Sequence, residues 1–320
     1  EPGAVGILSQ SGGNASEIAG RGPDRGILFS KVVSYGNALD LNEADFTDYF
    51  AEDPETNVIG GYIEGVKDGP RFLQALRRAT PHKPVVLLKG GKTAAGTGAV
   101  SSHTASLAGS RAVWDALCRQ TGVIPAADMD DLLDLLVGFT FLPAFAGLNV
   151  LILGGGGGGS VRSADESEEE GLNPIPVPKE VRQDLTQMHP FFGPWINNPL
   201  DTSMLMGSGL KTYEILEALA NSPRYHLLMV NVSEGIRRDR PDSTAKALQA
   251  LDHNLDISRR TGKPMALVMG DAIPEHDWQW RAQRDLREHA IREGFPVFPT
   301  IRRAARTMRR VMEYYRTREA

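Results

Sequence analysis

The fold is decided by a short stretch near the start of the chain, Ile7-Leu8-Ser9-Gln10-Ser11-Gly12-Gly13. Its apolar residues predict a buried strand, and its glycines predict a tight turn that leads straight into a helix. The same order recurs in the second half, where Leu151-Ile152-Leu153 is followed by a run from Gly154 to Gly159 and then by Ser160. The chain therefore predicts a duplicated architecture.

Between and beyond these stretches, short aliphatic runs alternate with amphipathic segments, which is typical of α/β domains with a parallel sheet. The predicted strands are Ala4–Leu8, Ile27–Val33, Val58–Ile63, Val85–Lys89, Val123–Pro125, Asn149–Leu153, Ile175–Val177, Leu227–Val232, Met265–Met269 and Val297–Phe298. A turn from Pro143 to Gly147 separates the halves. We predict two domains, residues 1–146 and 147–320, each with helices on both faces of a mainly parallel sheet.

The composition is that of an ordinary folded, water-soluble chain: of 320 residues, 41% are hydrophobic and 23% are charged. A net charge of −5 disfavours nucleic acid and anionic membranes as partners, and we interpret the basic segment from Arg302 to Arg318 as a solvated helix face. The single cysteine, Cys118, excludes an intrachain disulfide and a cysteine-rich metal site, and it predicts a cytoplasmic location. We predict no metal site.

Two further observations concern membranes and the start of the chain. The apolar segment from Leu132 to Leu153 is interrupted by Asp134 and Pro143, so we do not expect it to span a membrane. The chain begins Glu1-Pro2-Gly3, without methionine or a signal peptide, and we expect this start to be a domain boundary rather than a natural N-terminus.

The two glycine turns are candidate phosphate-binding sites, at Ser11, Gly12 and Gly13 and at Gly156, Gly157 and Gly158. Unpaired backbone amides and the positive end of a helix dipole favour an anion at such a turn. The alternative is that glycine only permits a tight connection. Neither turn has the full spacing of a dinucleotide fingerprint or of a Walker loop with its lysine.

His103 differs from the other six histidines because it lies among small residues, Ser101-Ser102-His103-Thr104-Ala105-Ser106, after a glycine-rich loop that begins at Gly90. An unperturbed imidazole is partly neutral and nucleophilic at pH 7, so it suits covalent transfer of a phosphoryl group. The alternative is an exposed loop histidine with no role.

Four motifs carry a resemblance to one family. They are Lys89-Gly90-Gly91-Lys92 with Ser102-His103-Thr104-Ala105-Ser106-Leu107-Ala108-Gly109, Ser9-Gln10-Ser11-Gly12-Gly13, Tyr62-Ile63-Glu64-Gly65-Val66 with Asp68-Gly69, and Asn198-Pro199-Leu200-Asp201. Their order and spacing over essentially the whole chain resemble the NDP-forming acyl-CoA synthetases, a superfamily that includes succinyl-CoA synthetase and ADP-forming acetyl-CoA synthetase.

The resemblance implies two flavodoxin-like, succinyl-CoA synthetase-type domains and a phosphoryl relay. His103 would carry the phosphoryl group between an acyl phosphate and a nucleotide, and Glu64 would orient the imidazole; the alternative for Glu64 is a surface carboxylate at a strand end. CoA, ATP or ADP, and magnesium would belong to the complete enzyme, with none bound by this chain alone. The implied partners are a CoA-binding domain, an ATP-grasp domain or subunit, a carboxylic acid or acyl-CoA, and further copies in an oligomer.

One departure from the family pattern is the acidic segment from Arg162 to Glu170, which leaves only Val161, Ala164 and Leu172 to pack. We expect it either to weaken the second phosphate site or to be unusually exposed. A different class of function stays open, a non-catalytic assembly module that binds phosphate or a nucleotide. A flavin or NAD oxidoreductase is disfavoured because no acidic residue follows a full glycine fingerprint at the expected distance.

Overall fold

A computed structural model of the chain describes residues 2–98, 110–205, 211–232, 243–270 and 277–319. The contacts between residues divide the chain into two compact units. The first runs to Thr140 and includes the end of the chain from Arg316, and the second runs from Phe141 to Tyr315. The domain boundary near residue 146 remains a proposal.

The first unit contains a parallel sheet of five strands in the order β2-β1-β3-β4-β5. The strands are β1 Val5–Ser9, β2 Phe29–Ser34, β3 Val58–Ile63, β4 Val85–Lys89 and β5 Ile124–Ala126. Ser9 at the end of β1 pairs with Tyr62, and Ile63 at the end of β3 pairs with Lys89. The carboxyl ends of β1, β3 and β4 therefore lie side by side.

Helices cover both faces of this sheet, as predicted. They are Gly12–Arg21, Glu43–Glu52, Gly69–Ala79, Arg111–Thr121 and Met129–Phe141. Three of them begin with a side chain that caps the first turn: the side chains of Ser11, Asn42 and Asp68 accept hydrogen bonds from Asn14 N, Ala44 N and Arg71 N. These caps determine where the three helices start, and the helix Gly12–Arg21 starts at the glycine turn.

The second unit contains a parallel sheet in the order β6-β7-β8-β9. The strands are β6 Val150–Leu153, β7 Leu227–Asn231, β8 Met265–Val268 and β9 Val297–Phe298. The helices are Gly157–Glu169, Lys179–Met188, Thr212–Ala220, Ser243–Thr261, Asp277–Arg292 and Ile301–Glu319. The α/β class with parallel sheets is confirmed, and no helix in the described ranges is both long and apolar enough to cross a membrane.

The predicted strand Ile175–Val177 is wrong, because this segment has no strand. Prolines at positions 174, 176 and 178 remove every second backbone donor, which a sheet ladder requires. The side chain of Asn198 forms hydrogen bonds with the backbone of β6 instead. Its Oδ1 accepts from Ile152 N at 2.9 Å, and its Nδ2 donates to Val150 O and Ile175 O, both at 2.8 Å.

The acidic helix Gly157–Glu169 packs differently from the prediction. Its buried residues are Ser160, Ser163 and Ser167, whereas Val161 is 64% exposed. These serines lie three and four positions apart, so they form one face of the helix. Small hydroxyl side chains thus supply packing that we expected from Val161, whereas Leu172, just after the helix, is fully buried as expected.

The acidic residues at the end of that helix have partners in the basic C-terminal helix. Arg302 Nη2 donates to Glu169 at 2.6 Å, and Arg306 binds both oxygens of Glu170, at 3.0 and 2.7 Å. The interpretation of the C-terminal helix as only a solvated face is therefore wrong at Arg302 and Arg306. These pairs reduce the mutual repulsion that we expected within the acidic segment.

Candidate functional site

Polar side chains follow the ends of three neighbouring strands of the first sheet. Gln10 and Ser11 follow β1, Glu64 follows β3, and Lys89 ends β4. In parallel α/β sheets, ligands bind at the carboxyl ends of the strands. This edge of the first unit is therefore the candidate functional site.

The first glycine turn presents amides and hydroxyls. Ser11 N donates to Ser9 Oγ at 3.2 Å, and Ser11 Oγ accepts from Asn14 N at 3.3 Å. A Cβ placed on Gly12 would find Ser34 Oγ as its nearest neighbour at 3.7 Å, and one on Gly13 would find Ser11 Oγ at 3.8 Å. The turn thus has the donors and the open helix start that suit an anion.

Gln10 ties this turn to the segment that carries Glu64. Its side chain is 3% exposed, and its Oε1 accepts from Glu64 N at 2.7 Å and from Gly65 N at 3.0 Å. The backbone N–H of Gln10 donates to Tyr62 O at 3.0 Å. No motif in the sequence predicts this role of Gln10, and its one signal is an amide side chain placed between the strand and the glycines.

Glu64 is a buried carboxylate and not a surface residue, since it is 8% exposed. Its Oε2 is buried and has no hydrogen-bond partner among the described residues. Burial first, and then the nearby charge of Glu64, raise the pKa of Tyr62. A Cβ on Gly90 would lie 2.4 Å from the Tyr62 hydroxyl and 3.3 Å from Glu64 Cγ, so glycine is required for this close approach.

Two lysines hold the loop that contains Gly90. Lys89 Nζ donates to Glu64 O at 2.7 Å and also to Gly90 O. Lys92 Nζ donates to Ala126 O at 3.0 Å and to Ala127 O at 2.8 Å. Burial lowers the pKa of both lysines. The loop is thereby fastened to the sheet ahead of residues 99–109, and His103 lies in that range, outside the described residues.

The second glycine turn, in the second unit, differs from the first. Gly156 precedes the helix that begins at Gly157, and a Cβ on Gly157 would lie 3.5 Å from Asp201 Oδ2. Asp201 also accepts hydrogen bonds from the amide and the hydroxyl of Ser203, at 2.9 and 2.6 Å. A carboxylate therefore stands at the start of this helix, where it opposes the binding of a second anion.

The described residues contain no group of three or more histidine, cysteine, aspartate or glutamate side chains that could hold a metal ion.

Comparison with known proteins agrees with this architecture. Residues 2–139 match the family described as the succinyl-CoA ligase like flavodoxin domain. The alpha subunit of ADP-forming acetate–CoA ligase I from Pyrococcus furiosus is 38% identical over 232 residues, which cover 72% of this chain and 49% of that subunit. A trans-feruloyl-CoA synthase from an unknown prokaryotic organism is 28% identical over 318 residues, which cover 97% of this chain and 42% of that protein.

A solved structure is similar over nearly the whole of this chain. The dinucleotide forming acetyl-coenzyme A synthetase 1 of Ca. Korarchaeum cryptofilum, solved in complex with phosphate and ADP, superposes with a TM-score of 0.77 at 26% identity. The match covers 99% of this chain and 66% of that one. This chain spans about half the length of the alpha subunit from Pyrococcus furiosus. Residues 2–139 therefore belong to the family described as the succinyl-CoA ligase like flavodoxin domain, and the chain is similar to part of the ADP-forming acetate–CoA ligases.

Proposed function

We propose that this chain is the phosphohistidine-carrying part of an NDP-forming acid:CoA ligase, with His103 as the covalent carrier and Glu64 as the residue that orients it. One observation carries the assignment of Glu64. Its Oε2 is buried without a partner among the described residues, at the strand edge where ligands bind. A buried acceptor of this kind favours a donor such as an imidazole N–H.

The transfer is a substitution at phosphorus. One imidazole nitrogen of His103 attacks the phosphorus of an acyl phosphate, a P–N bond forms, and the P–O bond to the acyl group breaks to release the carboxylate. Glu64 accepts a hydrogen bond from the other ring nitrogen, which selects the tautomer and stabilises the positive charge that develops on the ring. The phosphoryl group then passes to a nucleoside diphosphate.

The glycine turn at Ser11, Gly12 and Gly13 holds the phosphoryl oxygens in this proposal. A helix start stabilises a nearby negative charge by about 0.3 to 1 kcal/mol, and by up to about 2 kcal/mol when it is partly buried. We assign Gly156, Gly157 and Gly158 to a second, weaker phosphate site, because Asp201 places a carboxylate beside Gly157.

The rest of the reaction belongs to partners of this chain. We propose that CoA, ATP or ADP, and magnesium are bound by a CoA-binding domain and by an ATP-grasp domain or subunit, in an oligomeric enzyme. The relatives are named for different acids: acetate, 4-hydroxybutyrate and trans-ferulate. The acyl group therefore has to be inferred from this chain's own residues.

Labelling of the complete enzyme with γ-labelled ATP and magnesium tests the proposal. We expect phosphate on the protein that is labile in acid and stable in base, and we expect none in His103→Ala. Glu64→Gln keeps the shape of the side chain but removes its charge, so we expect phosphoryl transfer to fall by roughly ten- to a thousand-fold.

His82→Ala is the matched control, because His82 is exposed and lies on a different connection, after the Gly69–Ala79 helix. It should leave labelling unchanged. Labelling that survives in a folded His103→Ala protein would exclude His103 as the carrier. No labelling of the unaltered enzyme would favour a non-catalytic assembly module.

A further inference from the structure

The first unit contains a cavity of about 530 Å³ next to Lys89. Its walls come largely from the helices Gly69–Ala79 and Arg111–Thr121. The apolar residues that line it are Val66, Phe72, Leu73, Val113, Trp114 and Leu117. The volume lies within the range of sites that hold small organic molecules, roughly 300 to 1,000 Å³. The cavity is thus large and apolar enough for a ligand with a hydrocarbon or aromatic body.

Lys89 provides a charged end to this cavity. Lys89 is 6% exposed, and among the described residues its Nζ donates to two carbonyl oxygens, those of Glu64 and Gly90. An ammonium group has three N–H donors, so one remains for a ligand. In the described ranges no carboxylate forms an ion pair with Lys89. Burial lowers the pKa of Lys89, and the nearby charge of Glu64 only partly opposes this effect. A ligand carboxylate on the remaining N–H would therefore add to the stabilisation of the buried ammonium group.

A smaller cavity of about 240 Å³ shares the lining residues Lys89 and Trp114 with the larger one. Lys92, Arg111 and Asp115 also line the smaller cavity, and Arg111 pairs with Asp115 at 3.8 Å. Ser110, at the rim of the larger cavity, makes no capping hydrogen bond with its side chain. The charged side chains that line the smaller cavity are three cationic and one acidic, so this end of the apolar space suits an amphipathic anion.

We propose that the larger cavity binds the apolar body of the carboxylic acid substrate, of about the size of a phenylpropanoate, with its carboxylate on Lys89. This inference rests on the proposed function, since it assigns the acid of that reaction. Lys89 Nζ lies 2.7 Å from the backbone oxygen of Glu64, so the carboxylate lies beside the residue that orients the histidine. Acetate would leave most of the cavity to water, so the cavity selects a longer or aromatic acid.

Calorimetric binding of 3-phenylpropanoate to the complete protein, with any partner subunit, tests this assignment. The titration is done in the His103→Ala background, so that it does not depend on phosphoryl transfer. Val113 lines the cavity and is 68% exposed, and Val113→Trp fills part of the space without disturbing the core. We expect this change to raise the Kd for 3-phenylpropanoate at least about tenfold.

Arg119→Trp is the matched control, because it introduces the same side chain at an exposed position of the same helix that does not line the cavity. It should leave the Kd for 3-phenylpropanoate unchanged. Failure of 3-phenylpropanoate to bind, or equal binding by Val113→Trp, overturns the proposal. Loss of phosphohistidine labelling with intact binding refutes the relay and leaves the cavity assignment in place.

Discussion

A buried carboxylate destabilises a folded protein when one of its oxygens has no hydrogen-bond partner. Glu43 is fully buried; its Oε1 accepts from Lys67 N at 3.0 Å, and its Oε2 has no partner among the described residues. Burial raises the pKa of Glu43. A helix start favours its charge by about 0.3 to 1 kcal/mol, whereas an unpaired buried oxygen costs roughly 1 to 3 kcal/mol. The cost of the unpaired buried oxygen of Glu43 therefore exceeds the stabilisation from the helix start.

We therefore expect Glu43→Gln to stabilise the first unit by about 1 kcal/mol at pH 7.5. A raised pKa means that the folded state holds the proton more tightly than the unfolded chain. The stability of the unaltered protein is then highest below the ordinary carboxyl value of about 4.5, and it falls as the pH rises through the folded pKa. The stabilisation by Glu43→Gln should therefore vanish near pH 4, which thermal unfolding curves at pH 4 and pH 7.5 would show.

The control is Glu52→Gln, an exposed residue at the end of the same helix, which should change the unfolding temperature little at either pH. A gain for Glu43→Gln that is equal at pH 4 and pH 7.5 would contradict the assignment of the effect to the buried charge.

The residues of the candidate site differ in how far sequence can predict them. Glu64 followed from the motif that contains it, yet its burial did not, because its neighbours include Gly90, which lies 26 positions further along the chain. Gln10 binds backbone amides 54 and 55 positions away. No local pattern predicts a contact between residues so far apart, and only the pairing of β1 with β3 brings them together.

Among the elements, the acidic helix Gly157–Glu169 shows what tertiary contacts add to a charge pattern. Arg306 approaches both oxygens of Glu170, and this pairing lowers the pKa of Glu170. Two parallel bonds from one guanidinium are stronger than a single exposed ion pair. The pairing therefore contributes to holding the C-terminal helix against the acidic helix within the second unit.

We expect Arg306→Ala to lower the stability of the second unit by about 1 kcal/mol at pH 7, since solvent screening of the half-exposed arginine limits the effect. A lowered carboxyl pKa means that the pair stabilises the protein above the unfolded value and that this contribution is lost as the pH falls through the folded pKa. Denaturant unfolding at pH 7 and at pH 3 should show the difference shrinking in acid.

Arg162→Ala is the control on the acidic helix itself. Arg162 pairs with Glu166 within that helix at 3.7 Å and is 77% exposed, so its removal should cost less than about 0.5 kcal/mol. Equal losses for Arg162→Ala and Arg306→Ala would show that the contact between the two helices adds nothing.

Whole elements were predictable where one principle acts alone. The strands Val58–Ile63 and Val85–Lys89 have the predicted bounds, because their sequences are apolar throughout or nearly so and contain no proline. Ile175–Val177 has β-branched residues, but the alternating prolines decide its structure, since missing donors outweigh side-chain propensity. The buried serines of the acidic helix have the spacing of a buried helix face, but because they are polar, a search for apolar residues at that spacing does not find them.

For the molecule as a whole, the duplication is partial. In the first sheet β1 lies between β2 and β3, whereas β6, the corresponding strand of the second sheet, lies at the edge of the described sheet. Asn198 and Leu200 occupy that edge: Leu200 N donates to Ile152 O at 2.8 Å. The motif that contains Asn198 thus completes the second sheet in the place where the first sheet has a strand.

Each sheet has its own apolar core, which predicts that the two domains fold independently. Leu8, Phe50 and Phe72 belong to a core in the first unit, and Leu151 and Leu216 belong to one in the second. We expect a chain divided between Ala146 and Gly147 to give two folded pieces. Each piece should show dispersed amide resonances and one cooperative unfolding transition, because each retains all strands of its sheet.

A division seven residues later, between Leu153 and Gly154, is the matched control for this prediction. It moves β6 from the second piece to the first and so removes Leu151 and Leu153 from the second core. Burying one such side chain contributes roughly 1.5 to 3 kcal/mol, and a domain is stable by only about 5 to 15 kcal/mol. The loss of a whole strand should therefore unfold the piece that begins at Gly154, while the piece that begins at Gly147 stays folded. If both second pieces were unfolded, the second unit would need the first for its stability, and the boundary near residue 146 would not separate independent domains.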